Sequence, residues 1–231
     1  MPPPFFNKTS PGPFLMIHLT HVRHEYRSPE GREVVAVDDV SLEIKAKEFV
    51  ALRGASGCGK STLLLIAGGL LRPTSGDVTV SETQPYELSP DNRAEFRAGK
   101  VGFVFQQFHL VPYLSVWDNV LSPSIASGKK DRQRARDLVH EFGLEHRLHH
   151  TPSALSTGER QRTAMARALY NDPKVLLADE PTGNLDPENA DIVLERLAAF
   201  AAAGGSVLMV SHDEHATGAA HRVIAMADGR L

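Results

Sequence analysis

The sequence predicts an α/β fold: a parallel sheet with helices on both faces, a β-rich start and a helical lobe inserted near the middle. Three observations predict it. The runs Val175–Ala178 and Ser206–Val210 are short and almost wholly apolar, so neither has a face to offer water and each reads as a strand covered on both sides. Helical segments alternate with these runs, as a parallel sheet requires. Between about 87 and 165 the alternation gives way to mostly helical segments, which read as a second lobe within one domain spanning 14–231.

The elements follow in order. Residues 1–13 carry proline at 2, 3, 4, 11 and 13 and read as a disordered tail. Phe14–Tyr26 and Val34–Ile44 are rich in β-formers, and Ser28-Pro29-Glu30-Gly31 between them is a turn signal; together they predict an N-terminal antiparallel β subdomain. Glu48–Arg53 is a strand running into Gly54. Lys60–Leu70 reads as a helix closed by Gly68-Gly69, and Asp77–Val80 as a strand. Asp91–Arg97, Val116–Leu121, Asp131–Phe142 and Gly158–Tyr170 favour helix, with a strand at Val101–Phe105 ahead of Gln106. Asp186 caps a helix that starts at Pro187 and runs to about Ala203. Val223–Met226 is the last strand, before the Asp228-Gly229 turn.

Composition narrows the function. The chain has 231 residues, 42% apolar and 23% charged, with a formal charge of −3. Without a basic block it has no electrostatic case for binding nucleic acid. A single cysteine, Cys58, excludes an internal disulfide. No apolar run approaches the roughly 18 residues of a bilayer span, and Met1–Pro13 lacks the basic start and apolar stretch of a secretory signal. The expectation is a cytosolic chain that reaches a membrane only through a partner that supplies the spans. His18, His21 and His24, and His146, His149 and His150, are poorly spaced for a metal and read as solvated surface.

Two patterns carry chemistry. Gly54-Ala55-Ser56-Gly57-Cys58-Gly59-Lys60-Ser61 fits G-x-x-x-x-G-K-S between a strand and a helix. Its glycines let consecutive N–H groups turn inward as an anion site, and the following helix aims its positive end at the phosphates. Lys60 is placed for the β- and γ-phosphates, and the Ser61 hydroxyl for Mg²⁺. Cys58 reads as a packing residue of this loop. The pattern alone says only nucleoside triphosphate; the expected fold is a P-loop NTPase (RecA-like) core. Asn-Lys-x-Asp, which reads guanine, is absent: Asn7-Lys8 precedes Thr9-Ser10. The second pattern is Asp179-Glu180 at the carboxyl end of a buried strand. Asp179 is placed to hold Mg²⁺ and Glu180 to act as general base on water.

Further motifs, in this order, make the chain resemble the ABC ATPase family over nearly its whole length after the tail. Gln106 follows Phe103-Val104-Phe105 like the family's Q-loop, and Leu155-Ser156-Thr157-Gly158-Glu159-Arg160-Gln161-Arg162 looks like the signature. Asn184-Leu185-Asp186 resembles the D-loop, and Ser211-His212-Asp213 the switch histidine segment. The resemblance implies ATP and Mg²⁺ as ligands and a head-to-tail homodimer. Each ATP would lie between one subunit's Lys60 loop and Ser156, Thr157, Gly158 and Glu159 of the other. Thr62 and Asp186 join the nucleotide-binding set, and Tyr26 would stack on adenine. Gln106 would sense Mg²⁺ and link to a membrane permease; His212 would contact the γ-phosphate and orient Glu180. Thr157 stands where the family has glycine, and a β-branched residue resists positive φ, which bears on closure of the dimer. Glu159 replaces the usual Gln.

The 158–162 and 180–186 runs look like the lipoprotein-release and macrolide-export branch (LolD/MacB-type). That branch implies a cytoplasmic ATPase, peripheral on the inner face of the inner membrane, that energises export or extraction of lipoprotein, lipid, peptide or drug. The alternative is an ATP-driven regulatory module of cell-division type that moves no cargo. Val111–Trp117, with Tyr113, Leu114 and Trp117, is expected to help receive the permease.

Overall fold

Strands with no polar face need cover on both sides, and that requirement sets the architecture. A computed structural model describes residues 15–27, 31–128 and 130–231. The proline-rich tail and most of the Ser28–Gly31 turn lie outside the described residues. In chain order the elements are β1 (Leu15–Arg27), β2 (Glu33–Lys45), β3 (Phe49–Arg53), α1 (Lys60–Ala67), β4 (Ser75–Val80), α2 (Pro90–Lys100) and β5 (Val101–Phe105). There follow α3 (Val116–Leu121), α4 (Ser124–Ser127), α5 (Arg132–Glu141), α6 (Thr157–Leu169), β6 (Val175–Asp179), α7 (Pro187–Ala202), β7 (Ser206–Val210), α8 (Glu214–Gly218) and β8 (Arg222–Ala225).

The main sheet has the order β5-β6-β7-β3-β8, and every pair in it is parallel. Side chains alternate between its faces. In β7, Val207 and Met209 join the core beneath α3, α5, α6 and α7, whereas Leu208 and Val210 join the core shared with α1 and the smaller sheet. Both cores are continuous with strands of this one sheet, so cutting either would expose the middle of the molecule.

The smaller sheet is antiparallel, in the order β2-β1-β4. Its third strand arrives from beyond α1, pairing Ile17 with Val80 and Leu19 with Val78. A bulge interrupts β1 between Leu19 and Val22, with His21 at φ +50°. The extra residue shifts the inward face from odd positions (Ile17, Leu19) to even ones (Val22, His24). This corrects the expectation of a solvated His24: it is 8% exposed, and its ring meets Tyr26 edge-on at 4.7 Å.

Helix α1 ends at Ala67, three residues before the expected Leu70. Gly69 takes φ +70°, and Leu70 N–H donates to the Leu65 carbonyl, closing the end with a left-handed cap. Gly68 is needed for a different reason: a Cβ there would collide with the Phe103 ring of β5.

Candidate functional site

Because β5, β6, β7 and β3 are parallel, their carboxyl ends share one edge. Their register forms a single row, Phe105–Asp179–Val210–Leu52. The residues just beyond the row therefore converge: Gln106, Glu180, His212 and the loop from Gly54. They line a cleft of about 460 Å³ with Ala55, Ser56, Gly57, Lys60, Ser61 and Asp179.

The loop is held open by its walls. Gly59 caps α1 in the left-handed region at φ +106°, and no side chain caps that end. A Cβ on Gly59 would collide with the Ala36 carbonyl of β2, and one on Gly54 with the Met226 carbonyl. Gly229 N–H donates to the Cys58 carbonyl at 3.0 Å. The anion-binding curve is thus pressed between β2 and the chain's last residues, and only glycine fits where it bends. Lys60 is 7% exposed and its Nζ donates to the carbonyls of Gly54 and Ala55, each at 2.8 Å. Cys58 Sγ lies 3.8 Å from the same ammonium and packs against the smaller sheet's core.

Opposite the loop, the Ser61 hydroxyl donates to Asp179 Oδ1 at 2.9 Å. Burial raises the Asp179 carboxyl above the usual range, and neighbouring Glu180 adds to the rise, while Ser61 opposes it. A site that raises a carboxylate's pKa in this way favours a cation beside it. Hydroxyl, carboxylate and the Gln106 amide oxygen are hard oxygen donors, the kind Mg²⁺ takes alongside water and phosphate. Among the described residues no cluster of three or more His, Cys, Asp or Glu is arranged for a metal.

Glu180 has φ +46°, an uncommon backbone for a non-glycine residue and one met at functional sites. Its N–H donates to the Val210 carbonyl. Its carboxylate accepts from Ser211 Oγ at 3.2 Å, His212 N–H at 3.2 Å and His212 Nδ1 at 2.8 Å. The twisted backbone lets a side chain at the end of β6 reach the end of β7.

A model of the ABC transporter family matches residues 37–183. The chain belongs to that family. The macrolide export ATP-binding/permease protein MacB of Burkholderia pseudomallei (strain 1710b) is 44% identical over 219 residues, 94% of this chain and 33% of that protein. The probable syringafactin export ATP-binding/permease protein SyfD of Pseudomonas syringae pv. syringae (strain B728a) is 41% identical over the same shares. The chain spans about a third of the length of these curated relatives. A solved dimeric structure, the ATP-binding cassette MJ0796 in a post-hydrolysis state bound to ADP and Pi, matches with TM-score 0.87 at 36% identity, covering 94% of this chain and 96% of that one. This chain is an ATPase cassette of the ABC type.

The cassette keeps its remaining predicted residues outside the cleft. Ser156 caps α6 in a full capping box: its hydroxyl accepts from Glu159 N–H, and Glu159 Oε2 accepts from Ser156 N–H at 2.7 Å. Glu159 Oε1 accepts from Arg147 Nε at 2.8 Å. The sequence reading gave Glu159 to the nucleotide. In the structure both of its carboxylate oxygens accept hydrogen bonds within its own chain. Burial pushes its carboxyl up, but the Ser156 and Arg147 hydrogen bonds outweigh that and hold it at about 2. Thr157 is exposed at the first position of α6 with helical φ, so no positive φ is asked of its β-branched side chain. Gly158 is buried, and a Cβ there would collide with the Asn189 side chain.

Asp186 caps α7, accepting from Asn189 N–H and Nδ2 at 3.0 and 2.7 Å, and these bonds hold its carboxyl below the usual range. Tyr26 is 44% exposed, and its hydroxyl lies 3.3 Å from Thr62 Oγ1 on α1, which places an open aromatic face beside the phosphate loop. Tyr113 is 80% exposed, and Trp117 is partly buried against the larger core. Among the described residues no helix is long and apolar enough to cross a membrane.

Sequence reasoning named Gln161, Arg162 and Asn184 only as motif positions, passed over Asn189, and missed the ties that brace these parts. Asn189 joins Asp186 to Arg162, whose Nη1 donates to it at 2.6 Å. Gln161 Nε2 donates to the Pro181 carbonyl at 2.6 Å, and Asn184 Nδ2 to the Gln106 carbonyl at 3.0 Å. Each tie crosses between elements far apart in sequence, and no local pattern marks it.

Proposed function

We propose that two cassettes pair head to tail around two ATP molecules and that hydrolysis energises a membrane permease for export or extraction of a lipoprotein, lipid, peptide or drug. The observation that carries this reading is the convergence of Lys60, Ser61, Gln106, Asp179, Glu180 and His212 on one cleft. The Gly54–Ser61 amides and Lys60 grip the β- and γ-phosphates. Tyr26 takes the adenine face, with Thr62 beside it. Ser61, Asp179 and Gln106 are the residues to hold Mg²⁺, which when bound neutralises charge on the β- and γ-phosphate oxygens.

Glu180 accepts a proton from water as the water oxygen attacks the γ-phosphorus. The bond to the bridging oxygen breaks and ADP leaves with the electron pair. His212, through Nδ1, keeps Glu180 aimed. The first turn of α6 turns its positive end to the partner's γ-phosphate, supplied by Ser156, Thr157 and Gly158, while Asp186 lies at the seam. The matched dimeric cassette and the ATP-binding/permease names of the relatives support the dimer, the permease and a place on the inner face of the inner membrane. A regulatory module that signals by the same closure without moving cargo is the alternative.

Glu180→Gln tests the chemistry. It should bind ATP, collect as a dimer in light scattering, and release phosphate about 10²-fold more slowly or worse, the range for lost acid–base assistance. Unchanged phosphate release removes Glu180 from the base role.

A further inference from the structure

Helix α6 has 13 residues and is about 20 Å long. Its first turn is the signature segment. Near its other end, Arg167 reaches the loop that follows Gln106. Nη2 donates to the Phe108 carbonyl at 2.7 Å and Nη1 to the His109 carbonyl at 2.5 Å.

Three features set this contact apart. Phe108 and His109 are successive non-glycine residues with positive φ, +61° and +46°, a conformation that persists only where surroundings enforce it. Arg167 is half-buried and has no ion pair to a carboxylate among the described residues, unlike Arg147 on Glu159 or Arg196 on Glu141. Burial accordingly lowers its pKa. A half-buried cation whose guanidinium donates to two carbonyls of left-handed residues ties α6 to that loop. The same loop is held from its other side, where Asn184 donates to the Gln106 carbonyl.

We propose that Arg167 is a positioning residue for Gln106: its forked guanidinium locks the loop at 108–109 to α6, so that movement of the signature turn shifts Gln106 in the same subunit's cleft. This rests on the role given to Gln106 above. A fork is required, because one ammonium cannot hold both carbonyls along the guanidinium's fixed directions.

The experiment is a double-mutant cycle on the full chain with Mg-ATP, reading phosphate release. Arg167→Lys and Arg167→Gln are each combined with Gln106→Ala, and thermal unfolding selects whichever Arg167 variant keeps the wild-type midpoint. The expected result is that the Arg167 variant lowers kcat about tenfold with KM within about twofold. The double variant should be no slower than Gln106→Ala alone, as residues acting through one another are non-additive. Amide exchange over 106–111 should quicken in the Arg167 variants, a readout that survives even if both lower the midpoint. An impaired Gln106→Ala with additive Arg167 effects, or unchanged exchange, overturns this inference alone. An unimpaired Gln106→Ala removes the assigned role of Gln106 and the inference with it.

Discussion

The N-termini of α1 and α6 both belong to phosphate-recognition motifs, yet they are built in opposite ways. Helix α1 has a left-handed glycine as its cap, no side-chain cap and no acid in its first turn. Its positive end is answered by nothing of its own, and Lys60 adds a further cation. Helix α6 has a complete capping box, and Glu159 sits in its first turn. Those cap bonds serve Ser156 and Glu159, leaving the amides of Thr157 and Gly158 outside them. The first terminus is a whole anion site within one chain. The second is capped within its own chain. The difference teaches that a glycine cap leaves a helix end open to an anion while a capping box satisfies it within the chain itself; in the head-to-tail pairing proposed above, the second would complete the site of the first.

Substitutions break or sharpen this contrast to different degrees. The largest effect belongs to Gly59→Ala. A Cβ meets the Ala36 carbonyl and φ +106° resists any side chain, so ATP affinity should fall more than about 100-fold by titration calorimetry, in line with losing several phosphate-directed amides at once. Near-normal affinity would show that the loop grips without its bend.

Glu159→Ala comes next. It removes half of the capping box and the partner of Arg147, and should cost about 1–2 kcal/mol, a fall of several degrees in the melting midpoint. ATP affinity should stay unchanged, since the carboxylate faces its own helix. Acid titration gives the same residue a signature. Its carboxyl is depressed from 4.5 to about 2, so its stabilisation is present above pH 4.5 and is lost as pH falls towards 2. Glu159→Ala should flatten that part of the stability–pH curve.

The smallest change is expected from Thr157→Gly. Because Thr157 is already helical and exposed, ATP-dependent pairing should change by less than about threefold, which is under about 1 kcal/mol. A larger gain in dimer, read by light scattering, would mean that the side chain obstructs the partner's phosphate.

How far the site was legible depended on sequence distance. The phosphate loop spans eight residues, and glycine, lysine and serine at fixed spacing announce both its backbone and its charge. Asp179-Glu180 was legible because four apolar residues before it predicted a buried strand with its carboxyl end in the crevice. The bond from Arg147 to Glu159 was not legible, because the two are neighbours only after the chain folds back across the turn before α6. His24 was misassigned because a bulge three residues earlier changed which face points inward. Arg167 and Asn189 carried no signal and Asn184 was legible only as a motif position, since their ties to His109, Arg162 and Gln106 join segments far apart in the sequence.

The sequence by itself determined most of the elements (not the short α4 and α8), their order and the chemistry of the phosphate loop, because propensity, capping and glycine geometry act over a few residues. The tertiary structure alone decided the transverse row that brings four loops to one edge, the bond from Arg147 to Glu159, and the left-handed turn of Glu180 towards β7. Those depend on strand register and side-chain packing between distant segments, where a hydrogen bond or a collision is set by position in space and not by the residues adjacent in the chain.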